Sequence, residues 1–310
     1  MIKKILTILI ICLLLVSCKE EVVTYTFTSD DINNLDYSNL KEFDFSLHSK
    51  EYMLVCLSDF KVLYGEDIDK KIYPASLTKV LTMDTVLHLF EDLNDTSTIS
   101  EEQLKKLYED DASLAYLDIN EKYTIEELLY ALILPSGGDA AVALSNYFES
   151  KGYNLVDEMN KLASSLGCNS SHFTNPTGLH DDDLYTTLND YFLIVLDTLQ
   201  NDYARKILKS TFYRAHDDTP FMSTLLRSLN DNVNVLGGKT GTTDESGQSV
   251  MVFYEKDNRN YMLIVANALG YKQKEYFHME DILKIFDELR KNAMAVDNSW
   301  TKSAKNYLEI

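Results

Sequence analysis

The chain has 310 residues, with 29 lysines and arginines against 49 aspartates and glutamates, which gives a formal net charge of −20. A surface this acidic repels phosphate backbones and anionic headgroups, so nucleic acid and anionic lipid are excluded as partners of the folded body. Such a length is sufficient for one α/β domain that carries a helical insertion.

The first 17 residues have the pattern of a bacterial export signal. Lys3 and Lys4 supply the positive start, and residues 5–16 form an apolar run that is too short for a membrane span. The run closes on Leu-Val-Ser-Cys, which resembles a lipobox and predicts cleavage before Cys18, with a lipid on that cysteine. An uncleaved membrane anchor is the alternative. Either way we expect an extracytoplasmic protein, held at the bacterial cell membrane by its N-terminal end.

The remaining chain is predicted to form a tether at residues 18–48, one domain at residues 49–295 and a C-terminal tail at residues 296–310. The tether is polar and acidic, whereas the domain alternates apolar runs with turns. Strands at both ends of a helical middle predict a mixed α/β domain whose sheet joins distant segments. The predicted elements are strands 52–57 and 61–65, a helix 77–90, a capped helix from Thr124 to Pro135, a helix 140–148, strands 248–254 and 261–268, and a helix 281–290.

Three short strings carry the candidate chemistry, and they occur in the order Ser76-Leu77-Thr78-Lys79, Ser136-Gly137-Gly138 and Lys239-Thr240-Gly241. Each string alone occurs by chance in many chains of this length. Two of the four prolines, Pro74 and Pro135, lie just before the first two strings. Proline fixes φ and ends the preceding helix or strand. Its position here is therefore typical of a turn that holds the following side chain in a defined orientation. The order and the prolines together favour one shared active site.

Ser76 and Lys79 are the candidate nucleophile and general base. They lie three residues apart at the start of a predicted helix, so they share one face and the amine reaches the hydroxyl. A lysine acts as a base only where burial or a second cation lowers its pKa, and Lys239 is the candidate second cation. Ser136 is the candidate proton relay between Lys79 and the leaving group, and its alternative interpretation is a turn serine after proline.

The third string is predicted to bind substrate. Lys239 and Thr240 lie on a strand edge opened by glycines that include Gly241, and we expect them to bind a substrate carboxylate by charge and hydroxyl. The backbone amides of Ser76 and Thr242 are the candidate oxyanion hole, which stabilises the negative oxygen of an acyl-transfer intermediate.

Together the three strings resemble the active-site set of penicillin-binding proteins and serine β-lactamases. A further stretch, Met159–Ala163 followed by His172–Asp181, closely resembles a signature of the low-molecular-weight serine D-alanyl-D-alanine carboxypeptidases. The resemblance runs from about Tyr52 to Arg290. It implies the β-lactamase and transpeptidase type of fold, in which an antiparallel sheet is flanked by helices and a helical subdomain. It also implies removal of the terminal D-alanine from peptidoglycan stem peptides through an acyl-enzyme on Ser76, covalent inhibition by β-lactams, and no cofactor or metal.

Gly138 departs from the family pattern, which has an asparagine at this position. The family's asparagine side chain helps to position the lysine and to hold the substrate amide. Gly138 is therefore predicted to lie at the substrate without that donor, and losing one positioned donor costs roughly a hundredfold to a thousandfold in rate. Glycine leaves space, so Asp139, a water or a neighbouring side chain is the expected substitute. Slow turnover or a changed substrate is the predicted consequence.

Three alternatives stay open. A β-lactamase shares the strings but needs a deacylating group such as the glutamate of class A enzymes, for which the sequence offers no candidate. A catalytically weak lipoprotein that binds wall peptides or β-lactams is supported by Gly138 alone. A zinc peptidase would have to use His172, His180 and residues 181–183, which lack the usual metal-ligand spacing. Elsewhere, Cys56 and Cys168 are expected to be unpaired, buried thiols.

Overall fold

The protein is described by a computed structural model over residues 35–38, 40–225, 235–269 and 275–305, with side chains to residue 291. The predicted export signal and Cys18 lie outside these residues. Within the described part of the chain, no helix is long and apolar enough to cross a membrane.

A five-stranded sheet joins the two ends of the described chain. The strands are β1 (Glu51–Cys56), β2 (Lys61–Glu66), β3 (Thr96–Ser97), β4 (Tyr123–Thr124), β5 (Phe212–Arg214), β6 (Pro220–Met222), β7 (Val235–Thr243), β8 (Gly247–Lys256) and β9 (Arg259–Ala268). The large sheet has the order β2-β1-β9-β8-β7, and all of its neighbours are antiparallel. Because β1 pairs directly with β9, the prediction of a sheet built from distant segments is confirmed.

Helices occupy the middle of the chain and its C-terminal end. They are α1 (Thr78–Leu89), α2 (Glu101–Glu109), α3 (Ile125–Ile133), α4 (Gly138–Ser150), α5 (Leu155–Ser165), α6 (Leu188–Thr198), α7 (Asp202–Lys209) and α8 (Phe277–Lys305). Helix α3 begins with the predicted capping box, in which the Thr124 hydroxyl accepts from the Glu127 amide and the Glu127 carboxylate accepts from the Thr124 amide. The mixed α/β architecture that the sequence predicts is therefore confirmed.

Helices pack against both faces of the large sheet. Strand β1 is buried along its whole length, and its side chains alternate between the two faces. Met53 and Val55 join the core that contains α1 and α3 to α7, whereas Tyr52 and Leu54 pack with the α8 side chains. Cys56 and Cys168 are buried and unpaired, as predicted.

The C-terminal helix is longer than the predicted helix 281–290. Helix α8 begins at Phe277 and continues to Lys305, so much of the predicted tail 296–310 is helical instead. No glycine or proline interrupts residues 277–305, which lets the helix continue. Its first turns are tied to the sheet because the Asp281 carboxylate accepts hydrogen bonds from the Ser49 amide at 2.7 Å and the His48 amide at 2.9 Å.

The end of the predicted tether packs on the domain. The Phe43 ring stacks on Tyr64 with 4.1 Å between centroids, and Phe45 and Leu47 pack partly buried beside it. These three apolar residues alternate with polar ones, a pattern that suits a chain lying along a sheet. Asp36 also forms a parallel bridge with Lys61 of β2. The folded body therefore includes residues before the predicted boundary at residue 49.

Candidate active site

A short 3-10 turn, Ala75–Leu77, presents Ser76 just before α1. The Leu77 amide donates to the Pro74 carbonyl at 3.0 Å, which closes the turn. Ala75 has a φ of +48°, a conformation that residues other than glycine adopt at a cost. Ser76 is half-buried, and its side chain faces a cavity. The turn therefore exposes one hydroxyl at a place where the backbone is held in an unusual conformation.

The Lys79 amine lies against this hydroxyl. Its Nζ is 2.9 Å from Ser76 Oγ and 2.5 Å from the Thr177 carbonyl oxygen, and the side chain is only 2% exposed. Burial lowers the pKa of Lys79 to about 7, although the nearby negative charge of Asp139 acts in the opposite direction. A substantial share of Lys79 is therefore neutral near pH 7 and is able to accept a proton from Ser76.

The Thr177 carbonyl reaches Lys79 because the segment Asn175–Gly178 turns tightly against the Ser76 turn. Asn175 Oδ1 accepts from the amides of Thr177 at 3.1 Å and Gly178 at 2.8 Å, which fixes this turn. Gly178 has a φ of +74°, and a Cβ placed there would lie 1.9 Å from the Ala75 carbonyl oxygen. Only glycine permits this approach, so the residue is required for the site geometry.

A second lysine and serine pair lies behind the first. Lys239 Nζ donates to Ser136 Oγ at 2.9 Å and to the Thr240 carbonyl at 2.7 Å. Lys239 is 1% exposed, and its pKa is held well below the usual value by burial and, secondly, by the charge of Lys79. Ser136 has a φ of +66° in the turn between α3 and α4. Among the described hydrogen bonds, Ser136 is joined to Lys239 and not to Lys79.

The Ser76 cavity has a volume of about 600 Å³. Four of the residues that were selected for the serine mechanism line it: Ser76, Lys79, Gly138 and Thr242. The selected residues that are not part of the lining are Ser136, Lys239, Thr240 and Gly241. The structure thus divides the predicted site into residues that line the cavity and residues that lie next to the lining without being part of it.

Strand β7 brings the third string to the Ser76 turn. A Cβ placed on Gly241 would lie 3.1 Å from the Ser76 amide nitrogen and 2.9 Å from the Pro74 carbonyl oxygen, so the strand and the turn are in close contact. Thr242, the next residue, faces the cavity. The Thr240 hydroxyl lies 2.8 Å from that of Thr224. The two amides selected as an oxyanion hole therefore belong to neighbouring segments at one side of the cavity.

Gly138 is the first residue of α4, which therefore begins two residues before the predicted helix 140–148. Its amide donates to the Ser113 carbonyl at 2.7 Å. A Cβ added to Gly138 would lie 3.2 Å from that carbonyl oxygen and 3.4 Å from the Ala112 side chain. The expectation of open space beside Gly138 is therefore wrong, because the segment after α2 fills it.

Asp139 is also unavailable as a substitute for the missing asparagine. Its side chain is fully buried, and its carboxylate accepts from the Ala115 amide at 2.9 Å and from the Leu117 amide at 3.0 Å. A third hydrogen bond comes from the Ala140 amide at 3.0 Å. These contacts commit the carboxylate to holding residues 115–117 against α4. Its influence on the site is through charge, since it acts on the pKa of Lys79.

Comparison with known proteins agrees with this geometry. A family model described as D-alanyl-D-alanine carboxypeptidase matches residues 38–270, which is well over half of the chain. The chain belongs to the D-alanyl-D-alanine carboxypeptidase family. The match includes all three strings and the segment Asn175–Gly178, which packs against the Ser76 turn.

Two relatives in this family show how far the similarity extends. The chain is 28% identical over 233 residues to D-alanyl-D-alanine carboxypeptidase DacF of Bacillus subtilis, and 26% identical over 239 residues to DacA of Haemophilus influenzae. Each match covers 73% of this chain and 59% of the relative. The chain thus spans about three fifths of the length of these curated relatives.

The fold of this family member is also similar to a solved structure. A DD-transpeptidase from Streptomyces superposes with a TM-score of 0.70 at 22% identity, and the match covers 79% of this chain and 98% of the other. Together with the antiparallel sheet and its flanking helices, this similarity confirms the predicted β-lactamase and transpeptidase type of fold.

Sequence reasoning missed several features of the cavity in this family member. Lys106, Asp110 and Asp111 line it from the end of α2. The spacing of Lys106 and Asp110, which form an i,i+4 ion pair, is the one sequence signal for these three residues. His180, which the sequence analysis considered only as a zinc ligand, also lines the cavity. The Thr177 carbonyl was also missed, because a backbone acceptor leaves no side-chain signature.

His172 and His180, the candidate zinc ligands, make other contacts. The His172 ring nitrogen Nδ1 is 2.7 Å from the Asp183 carbonyl oxygen. His180 Nε2 lies 3.4 Å from the exposed carboxylate of Asp182, and its ring packs edge-on against Tyr73. Within the described residues, His172 and His180 are not part of a group of three ligand atoms close enough to share an ion.

Proposed function

We propose that the protein is a serine D-alanyl-D-alanine carboxypeptidase that removes the terminal D-alanine from peptidoglycan stem peptides during cell-wall remodelling. The observation that carries the proposal is the 2.9 Å contact between the buried Lys79 amine and the Ser76 hydroxyl at a cavity. Family membership supports the same reaction class. Ser76 is the proposed nucleophile, and Lys79 the proposed base.

In the first half of the reaction, Ser76 Oγ attacks the carbonyl carbon of the penultimate D-alanine while Lys79 Nζ takes the hydroxyl proton. The new O–C bond forms, and the oxyanion is held by the Ser76 and Thr242 amides. The peptide C–N bond then breaks, and the leaving nitrogen takes the proton that Lys79 accepted, with Ser136 as the proposed relay. Free D-alanine departs, and the rest of the peptide remains as an ester on Ser76.

In the second half, water attacks the ester carbonyl and gives a proton to Lys79, the ester C–O bond breaks, and Lys79 passes that proton to Ser76 Oγ. Lys239 and Thr240 are the proposed binding groups for the C-terminal carboxylate, with Gly241 and Thr242 beside them on β7. Lys239 also holds Ser136 through the 2.9 Å contact, so its position serves the proposed proton relay as well. A β-lactam acylates Ser76 in the same way, because its ring amide replaces the peptide bond.

We also propose that the protein lies outside the cytoplasm and is anchored to the cell membrane. The pattern of residues 1–17 supports an export signal, and Cys18 supports a lipid that holds the domain outside the cytoplasm at the bacterial membrane. The polar and acidic composition of residues 18–48 supports a tether between that lipid and the domain. The folded domain follows, and no nucleic acid partner is expected at its acidic surface.

The proposed function is tested by incubating the purified protein with a diacylated peptide ending in D-alanyl-D-alanine. We expect free D-alanine and the shortened peptide in equal amounts. Rapid hydrolysis of penicillin without D-alanine release would instead favour the β-lactamase. If neither D-alanine nor hydrolysed penicillin is formed, the result would favour a protein that binds without turnover.

Gly138 lacks the amide donor of the family's asparagine, which supports a second proposal, that catalysis is slow. A pair of variants tests this proposal. We expect Gly138→Asn to exceed Gly138→Ala in kcat/KM for the same peptide by about tenfold or more, because asparagine restores one positioned donor. Both variants place a Cβ 3.2 Å from the Ser113 carbonyl, so alanine controls for crowding. An asparagine variant no faster than the alanine variant would contradict the account.

The lowered pKa of Lys79 predicts a pH dependence of acylation. The folded pKa is about 7, so the neutral base becomes more abundant as pH rises through 7. We expect the rate of acylation by a chromogenic β-lactam to rise between pH 5.5 and about 7.5 and then to level off. Stopped-flow measurement at constant ionic strength checks this. A rate that is flat or falls across the interval would argue against Lys79 as the base.

A further inference from the structure

A second group of titratable side chains lies where α1 packs against α6, outside the Ser76 cavity. Asp84 and His88 are one turn apart on α1, and Asp197 comes from the last turn of α6. His88 Nε2 is 2.5 Å from Asp197 Oδ2 and 3.9 Å from Asp84 Oδ1. One ligand atom from each of the three residues lies within 4.8 Å of the others.

Asp84 is the unusual member of this group. Its side chain is 1% exposed, and neither carboxylate oxygen has a hydrogen-bond partner among the described residues. The Thr198 hydroxyl and the Asp197 carboxylate lie beside Asp84, but the single hydroxyl proton of Thr198 is donated to the Ile194 carbonyl at 2.8 Å. Burial and, secondly, the Asp197 carboxylate raise the pKa of Asp84 well above its usual value. A buried carboxyl group without partners is rare and calls for an explanation, such as a bound ion.

We propose that Asp84, His88 and Asp197 bind one divalent zinc-type ion between α1 and α6. An ion about 2.0–2.2 Å from each ligand atom in tetrahedral geometry needs ligand atoms roughly 3.3–3.6 Å apart. The 2.5 Å contact of His88 with Asp197 would therefore open by about 1 Å, and the 3.9 Å separation of His88 and Asp84 would close by a few tenths of an ångström. His88 is 48% exposed and Asp197 14% exposed, so an ion and a fourth ligand from water reach the site from that side.

The donor set selects the class of metal. One imidazole nitrogen and two carboxylates favour zinc and similar transition ions, whereas calcium and magnesium prefer oxygen ligands alone. A simple ion pair between His88 and Asp197 accounts for only two of the three groups. It leaves both Asp84 oxygens without a hydrogen bond, and a cation bound between the three side chains would supply that interaction.

Such an ion would link the helix that follows Ser76 to the neighbouring helix. Asp84 is five residues beyond Lys79, about 7.5 Å along α1. The ion would therefore stabilise the position of α1 and would take no part in the acyl transfer. This inference is independent of the proposed function, since it concerns binding and stability.

The test is calorimetric titration of zinc chloride into the full chain, purified in detergent and stripped of metal by EDTA and dialysis. We expect saturable binding of one Zn²⁺ per chain. Asp84→Asn and His88→Gln should each weaken binding by at least about tenfold. His88 is half-exposed, so its variant keeps the fold, which the melting temperature without metal verifies. Zinc should raise the melting temperature of the wild type and not that of His88→Gln.

The matched control is His216→Gln. His216 also lies against carboxylates, at 2.9 Å from Glu127 and 3.4 Å from Glu121. Glu127 already accepts from the Thr124 and His216 amides, so it is not a free ligand. We expect this variant to bind zinc as the wild type does. Absence of saturable binding, or equal affinity in Asp84→Asn, His88→Gln and the wild type, would overturn the proposal.

Discussion

Ser76→Ala is expected to lower kcat for D-alanine release by about ten-thousandfold or more. The hydroxyl is the only group at the Lys79 amine that can form the proposed ester, and alanine offers no oxygen to attack the carbonyl. Binding should survive, because the cavity wall loses a single atom. We therefore expect the change to appear in kcat, with KM altered far less. The measurement is steady-state release of D-alanine from the diacylated peptide.

Ser113→Ala is the matched control for this variant. Ser113 lines the same cavity, but its side chain has no contact with Lys79 in the hydrogen bonds that the structure describes. We expect it to retain most of the activity. If Ser76→Ala kept more than a tenth of the wild-type rate, the serine mechanism would be wrong.

Lys79→Met is expected to lower the rate of acylation by about a hundredfold to ten-thousandfold, the usual contribution of a general base. Methionine fills a similar volume and removes a buried amine, so the fold should be retained. The Ser76 hydroxyl would then keep its place and lose the group that accepts its proton. Acylation by a penicillin, followed under single-turnover conditions, measures the effect directly.

Lys106→Met provides the comparison at the same cavity. Lys106 lines the cavity but is largely exposed and paired with Asp110. Its loss should leave the rate of acylation close to that of the wild type. Equal losses in the two variants would show that positive charge at the cavity governs acylation, and not the contact of Lys79 with Ser76, so the assignment of Lys79 as the base would fail.

Local patterns in the sequence were enough to predict much of the fold. The capping box at Thr124, the short apolar run of β1 and the apolar run of α1 each depend on nearby residues, so they are readable from the chain. The spacing of Ser76 and Lys79 likewise predicted their contact, because helical geometry places residues i and i+3 on one face.

Contacts between distant segments could not be read in the same way. Lys239 and Ser136 are 103 residues apart, and Lys79 and the Thr177 carbonyl are 98 apart, so only the tertiary fold brings them together. The crowding beside Gly138 comes from the Ser113 carbonyl, which a sequence pattern cannot place. The commitment of Asp139 to the amides of residues 115 and 117 was hidden for the same reason.

Intact-protein mass spectrometry after incubation with a penicillin tests the central claim most directly. The account predicts a mass increase equal to one molecule of the drug, located on the peptide that contains Ser76 and absent from Ser76→Ala. An adduct that persists for hours fits a carboxypeptidase and not a β-lactamase. An adduct on another residue, or neither an adduct nor consumption of the drug, would contradict the account.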